Sequence, residues 1–339
     1  MTCVLQIGGR EWGGWTGVSL RRSLEDVASS FAVSATLRYP GEADPVQIGV
    51  GSAVTVELAG KRAATGWVEA VEVKTTAQGR QVTIEGRSKT CDLVDCSVVR
   101  EGGAWRDRTV AQIAADVCQP FSIDVVAAVD TGAPLGRVRV QPGESAFDLL
   151  DRLAALRGLL LTDDPFGRLV ITRAGAVAAS GSLRLPGNVL ASTVSVSASD
   201  RFSLYIVRGQ SAGDDNASGS LVASISGEVR DTGVTRYRPV IIAPSTAVTP
   251  AGARAWAQWE ARTRRGKSVA YKCSVAGWTQ TDGGELWAPN LLARVSDDSA
   301  QVEASLLVVG VDYTLDEGGT IAALELAHPD GFALLDLPA

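Results

Sequence analysis

The sequence predicts a mainly β protein with a smaller α+β component, in which two barrel-like β domains flank a small α+β domain. Short runs of alternating apolar and polar residues, separated by turn residues, are typical of antiparallel sheets. Glycine accounts for 36 of 339 residues, above the usual ~7%, which indicates many turns. Helical periodicity appears in the middle of the chain and once more towards its C-terminal part. The predicted domains span residues 1–96, 97–185 and 186–339, with the additional helix near 249–266.

Short alternating strands define the first domain. The run at 54–58, Val-Thr-Val-Glu-Leu, places every second residue on the same side of a sheet. The segments at 59–62 and 77–80 combine glycine with polar residues, as turns do. The predicted strands of this domain are 31–37, 54–58, 68–73 and 81–85.

Two amphipathic helices define the second domain. Either Asp107 or Thr109 can cap the first helix, which ends before Pro120. Ser145 can cap the second, and Gly158 ends it. Their apolar faces consist of Val110, Ile113, Ala114 and Val117 in the first, and Phe147, Leu150, Leu153, Ala154 and Leu156 in the second. Strands are expected at 122–126, at 137–140 and on both sides of a turn at 163–167.

The third domain returns to the β pattern. A loop rich in Gly, Asp, Asn and Ser is expected at 211–220. The additional helix has Thr249 as its N-cap and Pro250 at its first helical position, and it runs to about Arg265. The predicted strands are 192–197, 202–207, 268–275, 292–295, 304–312 and 320–326.

Composition excludes several classes of protein. Hydrophobic residues make up 45% and charged residues 21% of the chain, as in ordinary globular proteins. The net charge of −6 argues against a protein that coats nucleic acid, so we expect no specific nucleic-acid binding. The N-terminus lacks the basic start and apolar core of a signal peptide. Since no run of about 20 apolar residues is present, we also expect no membrane insertion by this chain.

The cysteines and the single histidine give no metal or cofactor motif. The five cysteines are scattered and odd in number, which indicates reduced thiols and synthesis in a cytoplasm. Cys91 and Cys96 are too few to complete a tetrahedral site, and His328 has no second histidine beside it. Glycine-rich nucleotide-binding motifs are also missing. We therefore expect neither a metal nor a cofactor.

One segment resembles a serine-hydrolase motif. Gly-Gln-Ser-Ala-Gly at 209–213 matches Gly-x-Ser-x-Gly around Ser211, and Asp312 and His328 follow in the order of a catalytic triad. A nucleophile elbow needs a helix after the serine, whereas the residues that follow form no amphipathic stripe. A glycine-rich loop explains the motif better, so we predict no catalytic site and keep a Ser211 hydrolase as the less favoured alternative.

The C-terminal helix carries the strongest candidate for a subunit interface. Trp256 and Trp259 lie three residues apart and therefore on one helix face. Residues 254–267 contain five basic residues and one acidic residue, whereas residues 273–339 contain one basic and eleven acidic residues. Such complementary charges favour contacts between adjoining subunits, although a solvated helix end is the simpler explanation. The candidate interface residues are Trp256, Trp259, Arg262, Arg264 and Arg265.

Several motifs in a fixed order resemble one family, the baseplate hub proteins of Mu-type contractile-tailed phages. The match extends over most of the chain, and its specificity lies in the order and spacing of the motifs. They are Gly-Arg-Ser-Lys-Thr-Cys-Asp-Leu-Val-Asp-Cys-Ser at 86–97, Thr-Val-Ala-Gln-Ile-Ala at 109–114, Gln-Pro-Phe-Ser at 119–122, Gly-Glu-Ser-Ala-Phe-Asp-Leu-Leu at 143–150, Arg-Gly-Leu-Leu-Leu at 157–161, Arg-Phe-Ser-Leu-Tyr at 201–205, the segment 231–239, Gly-Trp at 277–278, Leu-Trp-Ala-Pro-Asn at 286–290 and Pro-Asp-Gly-Phe at 329–332.

The resemblance implies a structural protein of the virion, located in the tail baseplate and synthesised in the cytoplasm of the bacterial host. It implies a homotrimeric ring whose six β domains match a hexameric tail tube protein, with a trimeric central spike protein at the other end and further baseplate proteins around it. It carries no catalytic residues. The alternatives are the hub of a tailocin or of another contractile injection system, and, from different classes, the Ser211 hydrolase and a free-standing binding module.

Overall fold

The structure, a computed structural model, describes residues 2–37, 48–77, 79–175, 177–209, 225–243 and 250–333. Strands account for most of the secondary structure in these residues, and helices are few. The predicted mainly β fold with an α+β component is therefore confirmed.

The N-terminal part is built from strands and short turns. The predicted strands lie within four of these strands, because the alternating apolar residues point into the core; Leu5, Leu58 and Ile84 are fully buried. The strands are β1 (Cys3–Ile7), β2 (Arg10–Trp12), β3 (Gly17–Ser23), β4 (Ser30–Leu37), β5 (Ala53–Leu58), β6 (Lys61–Thr76) and β7 (Gly79–Ser88).

The middle part combines helices with short strands. Its elements are α1 (Cys91–Asp95), β8 (Ala104–Arg108), α2 (Val110–Cys118), β9 (Val125–Ala127), β10 (Leu135–Arg139), α3 (Ala146–Ala155), β11 (Leu160–Asp163) and β12 (Leu169–Thr172). Short 3₁₀ turns span Glu101–Gly103 and Gln119–Phe121. The strand predicted at 122–126 begins later, at Val125, because Ser122 adopts a left-handed conformation after the second of these turns.

Both predicted helices of the middle part are present with caps. Thr109 rather than Asp107 caps α2: its hydroxyl accepts a hydrogen bond from the Gln112 amide, and the Gln112 side chain accepts one from the Thr109 amide. The Ser145 hydroxyl accepts a hydrogen bond from the Asp148 amide at the start of α3. The predicted inner face of α3 is wrong at Leu156, which lies beyond the last helical residue and is 40% exposed.

The C-terminal part contains the remaining strands and the long predicted helix. The elements are β13 (Val177–Leu185), β14 (Val189–Val196), β15 (Leu204–Gly209), β16 (Ile225–Arg230), β17 (Pro239–Ile242), α4 (Pro250–Lys267), β18 (Val269–Ala276), β19 (Leu291–Asp297), β20 (Val302–Asp316) and β21 (Gly319–Ala327), followed by a 3₁₀ turn at Pro329–Gly331. The predicted cap, Thr249, and the whole loop predicted at 211–220, including Ser211, lie outside the described residues.

One continuous sheet connects the two β parts of the chain. Its strand order is β14-β18-β21-β20-β3-β4-β7-β6-β5-β1-β2, and β19 pairs with β20 and β13. The junction is the antiparallel pair of β3 and β20, where Arg21 lies opposite Asp312. A single hydrophobic cluster contains residues from both parts, including Leu5, Phe31, Val311 and Leu326. The two β parts therefore share a sheet and a core.

Strand β13 belongs to this sheet although the sequence analysis placed residues 177–185 with the α+β domain. It pairs in parallel with β19, and its Leu183 is fully buried in the shared core. Local alternation identifies such a segment as a strand but does not reveal its partner, which lies more than 100 residues further along the chain.

Buried polar contacts join the middle part to the large sheet. The Arg22 guanidinium donates to the Asp163 carbonyl oxygen at 3.1 Å and lies 3.6 Å from the Asp163 carboxylate. The Ser29 amide donates to the same carboxylate at 3.2 Å, and the Thr90 hydroxyl donates to the Val27 carbonyl oxygen at 2.7 Å. Since unpaired buried polar groups are unfavourable, these contacts fix where the middle part sits on the sheet.

Candidate functional site

Helix α4 packs closely on the small sheet formed by β16, β15 and β17. Its buried residues are mostly alanines at four-residue spacing: Ala253, Ala257 and Ala261. Gly227 of β16 faces the helix, and a Cβ atom there would lie 2.2 Å from the backbone nitrogen of Arg254. Small residues on both sides therefore allow the backbones of α4 and β16 to approach each other closely. This packing fixes the position of the C-terminal end of α4, which carries the charged residues.

Both predicted interface tryptophans contact their own subunit. Trp256 is half-buried and packs against the hydrophobic cluster under α4. The indole nitrogen of Trp259 donates to the carbonyl oxygen of Ala333 at 2.6 Å, so this side chain holds the segment after β21 against the helix. Within the described residues, neither tryptophan is a free surface aromatic.

The three predicted interface arginines also have partners in the same subunit. Arg264 donates to Glu260 at 2.8 Å, and its guanidinium lies 5.4 Å from the centre of the Phe202 ring. Arg262 lies 3.8 Å from Asp330, and both of these side chains are substantially exposed. Arg265 donates to Asp231 at 3.1 Å. The structure thus brings the predicted residues together at one end of α4 and gives each arginine an acidic neighbour.

Asp231 is the centre of the strongest of these contacts. Its side chain is fully buried; it accepts a bidentate pair of hydrogen bonds from Arg201, one from Arg265 and one from the Gly233 amide. Burial raises the pKa of the Asp231 carboxyl, but the hydrogen bonds from Arg201, Gly233 and Arg265 lower it more, so the pKa lies below its ordinary value. Asp231 is therefore ionised and ties α4 to the turn after β16.

A groove of about 510 Å³ lies beside this end of α4, between the helix and the large sheet. Its walls include the basic Arg262 and Arg265, the acidic Glu303 and Asp330, and the side of Tyr271. The charges in the groove are mixed in sign, and apolar side chains such as Val194 and Leu306 line it as well.

Strands β8 and β10 form a second cationic surface, which the sequence does not predict. Trp105 and Val138 lie opposite each other and point into the core of the middle part. The two strands also carry four exposed arginines, which we call the arginine face: Arg106, Arg108, Arg137 and Arg139. Arg106 lies directly opposite Arg137. In the described part of the chain, none of the four makes an ion pair.

The arginine face left only a weak signal in the sequence. Residues 137–140 were predicted as a strand, and the alternation Arg-Val-Arg at 137–139 is visible in the sequence. No strand is predicted at 106–108, where Asp107 is a candidate helix cap. The two segments meet because β8 and β10 pair across about 30 residues, and no local pattern specifies that pairing.

The residues of the hypothetical hydrolase triad have other partners. Asp312 forms an ion pair with Arg21 at 2.8 Å. The His328 ring nitrogen Nδ1 accepts a hydrogen bond from the Asp330 amide at 3.2 Å. Ser211 lies outside the described residues.

The thiols and carboxylates form no cluster able to hold a metal among the residues that the structure describes. Burial raises the pKa of the thiols of Cys3, Cys118 and Cys273 to about 12, which leaves them protonated and unreactive. In the same residues, no helix is both long and apolar enough to cross a membrane.

Models of phage baseplate domains match three segments of the chain. Residues 2–88 match the N-terminal domain of Mu phage baseplate assembly protein GpP-like proteins. Residues 90–173 match the second domain of gp44-like baseplate hub proteins, and residues 249–335 match the fourth domain of the Mu phage protein GpP. The first and third of these segments supply most of the large sheet, and the second is the middle part.

Whole-chain comparisons give the same family. The chain is 35% identical to the baseplate hub protein gp44 of Escherichia phage Mu over 341 residues, covering 98% of this chain and 89% of that protein. It matches the crystal structure of the 43 kDa tail protein of prophage MuSo2 from Shewanella oneidensis with a TM-score of 0.89 and 35% identity, covering 99% of this chain and 100% of that chain.

A tail protein from Neisseria meningitidis MC58 has the same fold, with a TM-score of 0.83, 23% identity and 99% of both chains covered. The resemblance found in the sequence motifs is thereby confirmed. The chain belongs to the family of Mu-type phage baseplate hub proteins, and it is a structural component of the tail baseplate.

Proposed function

We propose that three copies of this chain form a ring in the baseplate that joins the tail tube to the central spike. The observation that carries the proposal is the junction of β3 and β20, which holds two β parts side by side in one sheet. A trimer of such subunits presents six β parts, the number needed to meet a hexameric tube, while its threefold axis suits a trimeric spike.

The partners follow from this arrangement. One end of the ring receives the tail tube protein and the other the spike, with further baseplate proteins on the outside. The subunits are made in the cytoplasm of the bacterial host and act in the virion. The same architecture serves a tailocin or another contractile injection system, and particles that carry this chain but package no DNA would favour that alternative.

The mass of the purified protein tests the ring. Multi-angle light scattering should report three times the subunit mass of 35.3 kDa, with a smaller average mass on dilution if assembly depends on concentration. A mass of one subunit at tens of micromolar would contradict the proposal, and it would also be the result expected for a free-standing binding module.

The role we propose involves no catalysis. Ester, peptide and glycan substrates should show no turnover that is lost on Ser211→Ala. A turnover that this substitution removes would instead support the hydrolase.

A further inference from the structure

The arginine face is unusual because two positively charged side chains lie directly across from each other within one subunit. Arg106 and Arg137 are directly opposite across β8 and β10, and the exposed Arg108 and Arg139 each follow two residues further along the same strands. Like charges at directly opposite positions of an antiparallel pair are destabilising. A neutral residue at either position would make the sheet of an isolated subunit more stable. The stability of one subunit therefore does not explain why these positions carry arginines.

Neighbouring arginines show what a partnered side chain looks like in this part of the molecule. Arg100 lies 3.5 Å from Asp116 and stacks on the ring of Trp105, and Arg152 contacts Glu144 at 2.8 Å. The four arginines of the face have no such contact in the described residues. Their guanidinium groups are exposed and free to receive carboxylates from another molecule.

The chain itself also carries a surface with exposed negative charges. Strand β20 ends at the exposed Asp316, and the exposed Glu317 follows in the turn to β21. The Asp316 carboxylate accepts a hydrogen bond from the Gly318 amide at 2.8 Å, which fixes its position in this turn. We call these two residues the acidic tip. Neither makes an ion pair within the described part of the chain.

We propose that the arginine face of one copy docks on the acidic tip of a second copy; the inference rests on the proposed ring. In a closed ring each copy meets its neighbours through two different surfaces, so both members of the contact must lie on one chain. Arginine suits this contact because its planar fork binds a carboxylate through two hydrogen bonds. Nucleic-acid phosphates have similar chemistry, but the net charge of −6 disfavours them as the main partner.

Charge reversal on each surface tests the contact. The first variant is Arg106→Glu with Arg137→Glu, the second is Asp316→Lys with Glu317→Lys, and the third combines all four changes. Sedimentation velocity at low salt should show at least a tenfold higher dissociation constant for each double variant. The combined variant should recover most of the loss, because it restores attraction with the signs exchanged.

A matched control separates this contact from a general effect of charge. Arg10→Glu with Arg173→Glu makes the same change in net charge at exposed arginines outside the face, and it should leave assembly unchanged. All the substituted side chains are exposed, so the unfolding temperatures should stay close to that of the unmodified protein. A variant that unfolds early is replaced by the corresponding change to serine.

The possible failures are distinguishable. If the unmodified protein is a trimer and both double variants assemble as well as it does at low salt, the inference is wrong and the ring stands. If both reversals weaken assembly but their combination does not recover it, the acidic tip is not the partner and the inference is wrong. If the first variant loses only binding to a duplex DNA probe, the face serves nucleic acid. A monomeric unmodified protein overturns the ring itself.

Discussion

The two cationic surfaces of this protein differ in what their charges do. At the end of α4, Arg264 and Arg265 donate to Glu260 and to the buried Asp231. On the arginine face, Arg106 and Arg137 oppose each other and, within the described residues, have no carboxylate partner. Three arginines of the segment that is most basic along the sequence therefore have a carboxylate partner in the fold, whereas the arginines of the less conspicuous face have none among the described residues.

This difference shows that charge density along a chain is a poor guide to free charge on a surface. Residues 254–267 have a net charge of +4 in the sequence. In the structure their partners come from the turn after β16, from α4 itself and from the segment after β21. We therefore expect changes at α4 to affect the subunit and changes at the arginine face to affect assembly.

The largest expected effect is the loss of the buried carboxylate at α4. Asp231→Ala leaves Arg201 and Arg265 without their partner and should lower the free energy of unfolding by roughly 3 kcal/mol. Chemical denaturation measures the change. The exposed Asp330→Ala, which removes the 3.8 Å contact with Arg262 and the 3.7 Å contact with His328, is the control and should cost under about 1 kcal/mol. Equal losses of unfolding free energy in the two variants would show that the buried Asp231 stabilises the fold no more than an exposed carboxylate does.

The close approach of α4 to its sheet should be nearly as sensitive. Gly227→Ala places a Cβ atom 2.2 Å from the Arg254 nitrogen, and we expect a loss of about 2 kcal/mol as the helix is displaced. Gly136→Ala in β10 is the matched control, since a Cβ atom there meets nothing within 4 Å. Thermal unfolding compares them; a tolerated Gly227→Ala would mean that α4 is loosely packed.

Lowering the pH should destabilise the packing of α4 before it affects the strands of the arginine face. The pKa of Asp231 lies below its ordinary value, so this carboxylate stabilises the fold above about pH 3.9, and the contribution is lost as pH falls through the folded-state pKa. Amide exchange should show lower protection in α4 below about pH 4, with a smaller change in β8 and β10. Asp231→Asn should flatten this pH dependence; an unchanged dependence would assign it to other carboxylates.

The smallest expected effect is a gain in stability at the arginine face. Arg137→Thr removes the repulsion with Arg106 and should raise the free energy of unfolding by about 0.5 kcal/mol. Arg139 lies opposite Ala104, so Arg139→Thr should change little. Denaturation at concentrations low enough to keep the subunits apart makes the comparison. A loss of stability in Arg137→Thr would mean that the side chain contributes packing that outweighs the repulsion.

The sequence by itself determined the local elements of this protein. The alternation at 54–58 and the capping residues Thr109 and Ser145 predicted a strand and two helix starts that the structure contains. Pro250 marked the first residue of α4. These features depend on residues that are only a few positions apart in the sequence. Helix capping and the burial of one face of a helix or strand both involve interactions over that short distance. The order of several such motifs was also enough to identify the family.

Only the tertiary structure decided how distant segments meet. The junction of β3 and β20 pairs residues about 290 positions apart, and it turns two β parts into one sheet. Other pairings, between residues about 30 positions apart, place Arg201 and Arg265 on Asp231 and set Arg106 opposite Arg137. Backbone hydrogen bonds and buried apolar surface specify strand partners collectively over the whole core, so no short window of the sequence contains that information.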